Sequence, residues 1–181
     1  MNPNPIDSSL LARIDRLEAL DQIRQLPAKY ALALDMRDMD AMVSLFPADV
    51  RVGREASGRA ALRAYMDGTL RSPFTGTSHH IGGHVIEFDD PDHAHGVVYS
   101  KNEHETPVAD GPGEWVIMQM MYVDDYVRQD GRWYFERRLP SDHSPPGQRI
   151  FLSPTGGLLR SVAYQYNGNR RSKYQRLSWR T

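Results

Sequence analysis

The chain has 181 residues, 40% of them apolar and 25% charged, with a net charge of −1 and no cysteine. That length and balance describe one globular domain able to bury ~70% of its unfolded surface. No apolar run approaches the ~18 residues of a membrane span, and the lack of cysteine excludes disulfides, thiolate metal sites and a cysteine nucleophile. The near-neutral total hides an asymmetry, since residues 141–181 carry +6 and residues 1–140 carry −7. The body offers no basic face to extend the basic tail, so nucleic acid is not an expected partner. The start of the chain has no basic segment followed by an apolar one, so a cytoplasmic location is expected rather than secretion.

The first elements read as helices. Residues 1–7 hold two prolines and two asparagines and carry no element. Ser8 or Ser9 can cap a helix. Leu10, Ile14, Leu17 and Ile23 recur near the 3.6-residue period, which predicts an amphipathic helix with those side chains buried. Pro27 either kinks that helix or opens a second one through Tyr30, Leu34 and Asp35. Asp38 can cap a third, with Met39, Met42, Val43 and Phe46 on its buried stripe and Pro47 ending it. Val50–Val52 suits a short strand. Gly58 precedes a further helix with Leu62, Tyr65, Met66 and Leu70 inward.

After Pro73 the pattern changes to strands. Residues 78–88, 94–105, 114–128 and 132–139 are rich in Val, Ile, Tyr, Trp and Phe. They are separated by turn signals, and the Asp130-Gly131 pair marks a hairpin. Helices followed by antiparallel strands describe an α+β domain. A helix layer lying on a curved sheet would enclose a pocket. The expected organisation is a domain over residues 1–144 and a basic extension over 145–181. The extension is expected to pack on the acidic body of the same or a neighbouring subunit.

The candidate chemistry rests on histidine and carboxylate. Six of the seven histidines fall between residues 79 and 104, and imidazole is the acid–base group of neutral pH. His93 and His95 share a strand face and read either as two metal ligands or as solvated turn residues, with no third ligand specified by local spacing. Asp35 follows the apolar stretch Tyr30-Ala-Leu-Ala-Leu. It reads either as a solvated helix end or as an inward carboxylate that needs a partner. Met118, Met120 and Tyr122 share one face of a strand, as core or as the wall of an adaptable apolar pocket.

Three segments carry a resemblance: residues 17–46 (LEALDQIRQLPAKYALALDMRDMDAMVSLF), 77–88 (TSHHIGGHVIEF) and 126–138 (YVRQDGRWYFERR). Over roughly residues 10–140 the chain resembles the SnoaL-like branch of the nuclear-transport-factor-two-like superfamily. It is most similar there to scytalone dehydratase, bile-acid 7α-dehydratase and hexachlorocyclohexane dehydrochlorinase. The resemblance implies a cone-shaped α+β barrel, with a curved, mostly antiparallel sheet wrapped around helices and a central pocket. It also implies a homotrimer that works without metal or organic cofactor and eliminates water or HCl with an Asp–His pair.

Residue by residue, Asp35 and Arg37 match the family's aspartate context in Tyr30-Ala-Leu-Ala-Leu-Asp35-Met-Arg37. His79, followed by Ile81-Gly82-Gly83, matches the family's histidine. His80 is its rival, because adjacent strand residues point to opposite faces. His104 matches a second histidine of scytalone dehydratase. Tyr30 and Tyr122 match pocket tyrosines of the bile-acid dehydratase, and Arg138 a pocket arginine of the dehydrochlorinase. Where scytalone dehydratase has serine and asparagine, this chain has Met120 and Tyr122, so scytalone itself is not the expected substrate.

The implied function is a cofactor-independent lyase or isomerase on a hydrophobic cyclic small molecule. Asp35 and His79 would be catalytic, with Tyr30, His104, Tyr122, Arg138 and Met120 binding substrate. The same fold also hosts non-catalytic subunits of ring-hydroxylating dioxygenases and small-molecule-binding modules.

Overall fold

A computed structural model describes residues 5–107, 113–142, 151–152 and 158–159. Helix α1 spans Pro5–Asp35 and α2 spans Met39–Val43. A small ribbon of β1 (Arg51–Val52) and β2 (Ala56–Ser57) leads to α3 (Arg59–Met66) and a π-helical turn over Asp67–Arg71. Four long antiparallel strands follow: β3 (Gly76–Phe88), β4 (His93–Thr106), β5 (Glu114–Gln129) and β6 (Arg132–Asp142). Among the described residues no helix is long and apolar enough to cross a membrane.

The sheet order is β3-β4-β5-β6, each pair antiparallel. It curves around the helices but does not close: β3 is one edge, so the expected barrel is an open, cone-like half-wrap. Beyond β6, Phe151–Leu152 (β7) pairs with Val116 and Trp115 of β5, and Leu158–Leu159 (β8) pairs with β7. These two pairs of residues lie along the chain's own sheet. The rest of the extension over 145–181 lies outside the described residues.

Helix α1 departs from its sequence pattern. It begins at Pro5, so Ser8 and Ser9 lie inside it and not at its N-terminus. Proline suits the first turn, where its missing N–H would have no partner. Pro27 is fully buried and does not break the helix. Leu10, Ile14 and Leu17 are exposed, together with Leu11, because at 3.6 residues per turn they point away from the side of the helix that meets the sheet. The buried stripe is Ala19, Ile23, Leu26, Tyr30, Ala33 and Leu34.

Polar contacts set the registry of that docking. Arg128 holds both oxygens of Asp15 at 2.8 and 3.1 Å. Trp133 N–H donates to Gln22 Oε1 at 3.1 Å. The Arg16 guanidinium lies 3.6 Å over the ring of Phe88. The hairpin between β5 and β6 turns at Asp130 (φ 50°) and Gly131 (φ 76°), the two left-handed residues of a type I′ turn.

Other elements form as their side chains direct. Asp38 Oδ1 accepts the Ala41 N–H at 2.9 Å and caps α2, whose Met39, Met42 and Val43 are buried. In α3 and the π-helical turn after it the inward residues are Leu62, Met66 and Leu70, but Tyr65 points outward and is 57% exposed. The core gathers Ile23, Met42, Tyr126, Trp133 and Phe135 between helices and sheet.

A step in the β3–β4 register between Ile81 and His84 changes which parity of β3 faces inward. Odd residues face the helices before it and even residues after it. Gly96 lies opposite the later stretch, and a Cβ there would sit 2.5 Å from the Val85 carbonyl oxygen. Only glycine lets β3 come this close.

Phe135 is fully buried, so Phe135→Ala should destabilise by about 3–5 kcal/mol in chemical denaturation. Tyr65→Ala should change stability by no more than about 0.5 kcal/mol. A large loss at Tyr65 would contradict its outward placement.

Candidate functional site

Asp35 is the last residue of α1, and the way the helix ends sets its position. Arg37 N–H bonds the Leu34 carbonyl at 3.0 Å, and Asp38 N–H bonds the Ala33 carbonyl at 2.8 Å. Arg37 is left-handed at φ 58°. This is a Schellman stop with arginine where glycine is usual. It leaves Asp35 on the final turn, facing β3.

Three donors from β3 converge on the carboxylate. His79 Nδ1 lies 2.6 Å from Oδ1, Thr77 Oγ1–H donates to Oδ1 at 3.0 Å, and the His79 backbone N–H donates to Oδ2 at 2.9 Å. The Asp35 side chain is 26% exposed, whereas that of His79 is 3% exposed. A carboxylate can only accept, so Nδ1 carries a hydrogen, and in the neutral imidazole the lone pair is on Nε2. Among the described residues His79 Nε2 has no hydrogen-bond partner, and it is not one of the sealed polar atoms of the interior. His80 points to the opposite face, is exposed, and places Nε2 3.1 Å from Ser78 Oγ. The structure thus brings Asp35 to His79 and not to its neighbour.

His104 lies opposite Thr77 across β4. Its ring stands edge-on to His79 at 5.3 Å and lies flat under Phe74 at 4.5 Å. It is 3% exposed, and neither ring nitrogen has a partner. Burial, and after it the proximity of His79, lowers its pKa to about 4, so the ring is neutral at physiological pH. Leaving such atoms unpaired costs about 1–3 kcal/mol each.

A second polar group lies along the same inner face. Ser100 O–H donates to Asn102 Oδ1, and Asn102 Nδ2–H donates to the Tyr122 hydroxyl at 2.8 Å. Asn102 pairs across the sheet with His79, so this chain joins the two halves of the site. Burial raises the Tyr122 and Tyr30 pKa values, and both remain O–H donors at neutral pH. Met120 lies on the same face of β5, half-buried, opposite Ser100.

Arg138 is placed differently from a surface-facing substrate contact. Its side chain is 3% exposed, with the guanidinium carbon 3.8 Å from the Tyr122 ring centre and 4.7 Å from those of Tyr30 and Phe135. Its Nη1 donates to Asp124 Oδ2 at 2.6 Å. Tyr126 O–H donates to the same oxygen at 3.1 Å, and His84 Nε2 lies 2.9 Å from that hydroxyl. Burial pushes the Asp124 carboxyl up to about 6 and the His84 imidazole down to about 4.

Thr77, Asn102, Asp124 and Phe74 were not among the sequence candidates. Thr77 and Asn102 had a signal: each lies two residues from a histidine already singled out, on the same strand face. Asp124 lies between Tyr122 and Tyr126 in the same way. Phe74 precedes its strand and had no such signal. His93 and His95 pair with Asp90 and Asp89, each at 3.0 Å. Among the described residues no three histidine or carboxylate side chains come together to hold a metal ion.

The Arg138–Asp124 pair generates a stability test. Arg138→Met would leave a buried carboxyl without its cation, a loss of about 3–5 kcal/mol at pH 8. Because burial already raises the Asp124 pKa, acidification protonates it and should shrink that loss at pH 5. Denaturation at the two pH values checks this, and a deficit that grows on acidification would contradict it.

No curated protein matches the chain in sequence. Among solved structures it is similar to a protein of Novosphingobium aromaticivorans provisionally assigned as a scytalone dehydratase. That match has 25% identity and a TM-score of 0.59, covering 74% of this chain and 93% of that one. It is also similar to an NTF2-like protein with a cystatin-like fold from the same organism (26% identity, TM-score 0.59, 80% and 93% covered). The hexachlorocyclohexane dehydrochlorinase LinA-type3 of Novosphingobium barchaimii shares the fold at 17% identity (TM-score 0.66, 78% and 95% covered). The sequence profile of the SnoaL-like domain matches residues 15–139. Fold, sequence profile and structural likeness agree, and the chain belongs to the SnoaL-like family of the NTF2-like superfamily.

Proposed function

We propose that the protein is a cofactor-independent lyase acting by elimination on a hydrophobic cyclic small molecule. The observation that carries this reading is the Asp35–His79 contact, with Nε2 left without a hydrogen-bond partner among the described residues. His79 Nε2 takes a proton from a substrate carbon. The C–H electron pair becomes a carbon–carbon double bond, and the group on the adjacent carbon leaves with its own electron pair, as water after protonation or as halide. Asp35 holds the tautomer and stabilises the imidazolium that forms. The Tyr30 and Tyr122 hydroxyls are the donors available to a substrate oxygen. Returning the proton to another carbon of the same substrate makes the reaction an isomerisation, which the same base serves.

Self-association belongs to the same reading. Val85, Tyr99 and Leu139 expose apolar surface on strands of the sheet. A homotrimer that covers this face is expected, and light scattering showing a monomer at micromolar concentration would contradict it.

General-base help of this kind is worth roughly 10²–10⁴ in rate. Asp35→Asn and His79→Ala should each lose a factor of that order in kcat on an eliminating substrate. The double variant should be little worse than either, because the two residues act as a unit. Thr77→Val should lose part of the rate, and Thr77→Ser should restore it by returning the hydroxyl to Asp35. If folded single variants keep full activity, the elimination reading gives way to the binding or non-catalytic subunit reading.

A further inference from the structure

Arg37 was quoted in the sequence motif, but the elimination chemistry makes no use of it. The structure gives it a specific set of contacts. Its Nη2 donates to the Phe74 carbonyl at 2.6 Å and its Nη1 to the Arg71 carbonyl at 3.3 Å. Both carbonyls belong to the segment that runs from the π-helical turn into β3. The far end of that segment is tied by Thr75, whose N–H donates to the Glu105 carbonyl at 2.9 Å. Between the two ties, the Phe74 ring lies flat on His104, with 4.5 Å between centroids and 20° between planes.

We propose that Phe74 is an aromatic gate over His104, latched by Arg37, and that a planar ring of the ligand takes the place of Phe74 on the imidazole. The ligand part rests on the function proposed above; the gate itself does not.

Three observations support it. A buried histidine that serves only the core ordinarily bonds at least one of its nitrogens, but both nitrogens of His104 are sealed and unpartnered. Phe74 covers one face of this ring, and the proposed gate is its movement aside, which would open the ring to a ligand. Second, Arg37 occupies a left-handed position at φ 58°, where glycine would be free of strain. What arginine adds there is its side chain, and that side chain grips the gate segment. Third, the segment is preceded by a π-helical turn at Asp67–Arg71, a backbone form that concentrates at functional sites. The charged and titratable groups facing His104 are His79, Asp35 and Arg37. Burial is the largest influence and keeps the ring neutral, the form that reacts with diethyl pyrocarbonate.

The test is carbethoxylation of the full chain by diethyl pyrocarbonate, read histidine by histidine by peptide mass spectrometry. In the wild type the exposed His80 should react fast and His104 slowly. In Phe74→Ala, His104 should react at least about tenfold faster, as expected when a local opening is made permanent. Phe74→Tyr should restore the protection. Arg37→Lys keeps the charge but not the two-carbonyl grip, and should give an intermediate gain at His104. His84, half-buried elsewhere with Nε2 on the Tyr126 hydroxyl and Nδ1 sealed, should keep one slow rate in every variant. 2-Naphthol added to Phe74→Ala should protect His104 again by stacking where the phenyl ring was.

Fast labelling of His104 in the wild type, or no gain in Phe74→Ala, would overturn the gate. A gain at His84 alongside His104 would show general loosening and would also overturn it. Failure of 2-naphthol to protect would overturn the place assigned to the ligand ring. None of these readings needs turnover, so the gate and the elimination reading can fail separately.

Discussion

The Asp35 carboxylate is the constraint from which the rest of the site follows. It stands at the end of a 31-residue helix whose last two turns are largely apolar. A charge in that position needs partners, and three of them come from two residues of β3. Because one of those donors is the His79 backbone N–H, the helix end is tied to the strand itself and not only to a mobile side chain. The same contact holds the imidazole in one tautomer. Fixing the fold here and orienting the imidazole are the same physical event.

The sheet then distributes polarity along one face. Alternation places Thr77 and His79 on β3, Ser100, Asn102 and His104 on β4, and Tyr122 and Asp124 on β5 toward the helices. Hydrogen bonds link Ser100, Asn102 and Tyr122 in sequence, Asp35 holds Thr77 and His79, and Asp124 is held by Tyr126 and Arg138. Arg138 closes the row, with its charge balanced by Asp124 and its faces covered by aromatic rings. Not every group in this interior is paired: Arg138 Nε and Nη2, Asp124 Oδ1 and His84 Nδ1 are sealed without a partner among the described residues, and so are both nitrogens of His104, beside His79.

Much of this was legible in the sequence, because it depends on local rules. The Asp38 cap, the Asp130-Gly131 hairpin and the four strands follow from side-chain chemistry and period. Strand alternation separates His79 from His80, although deciding which one faces inward needs the position of α1. The stripe at Leu10, Ile14 and Leu17 misled because periodicity reports an apolar face without saying whether anything covers it. Tyr65 misled for the same reason. Arg138 was singled out for a pocket wall, but its partner Asp124 lies on another strand, and pairing across strands is set by register. The glycine step in β3 also escaped, since it changes facing without changing composition. Phe74 and Arg37 meet only through tertiary structure and could not be paired from spacing.

The central claim is that Asp35 holds His79 with its hydrogen on Nδ1 and its lone pair on Nε2. Side-chain ¹⁵N NMR of His79 in the full-length protein, at a pH where the imidazole is neutral, reads that arrangement directly. The account predicts a protonated Nδ1 and a bare Nε2 in the wild type, with the preference lost or reversed in Asp35→Asn. A neutral His79 protonated on Nε2 in the wild type, or a tautomer unchanged by Asp35→Asn, would contradict it.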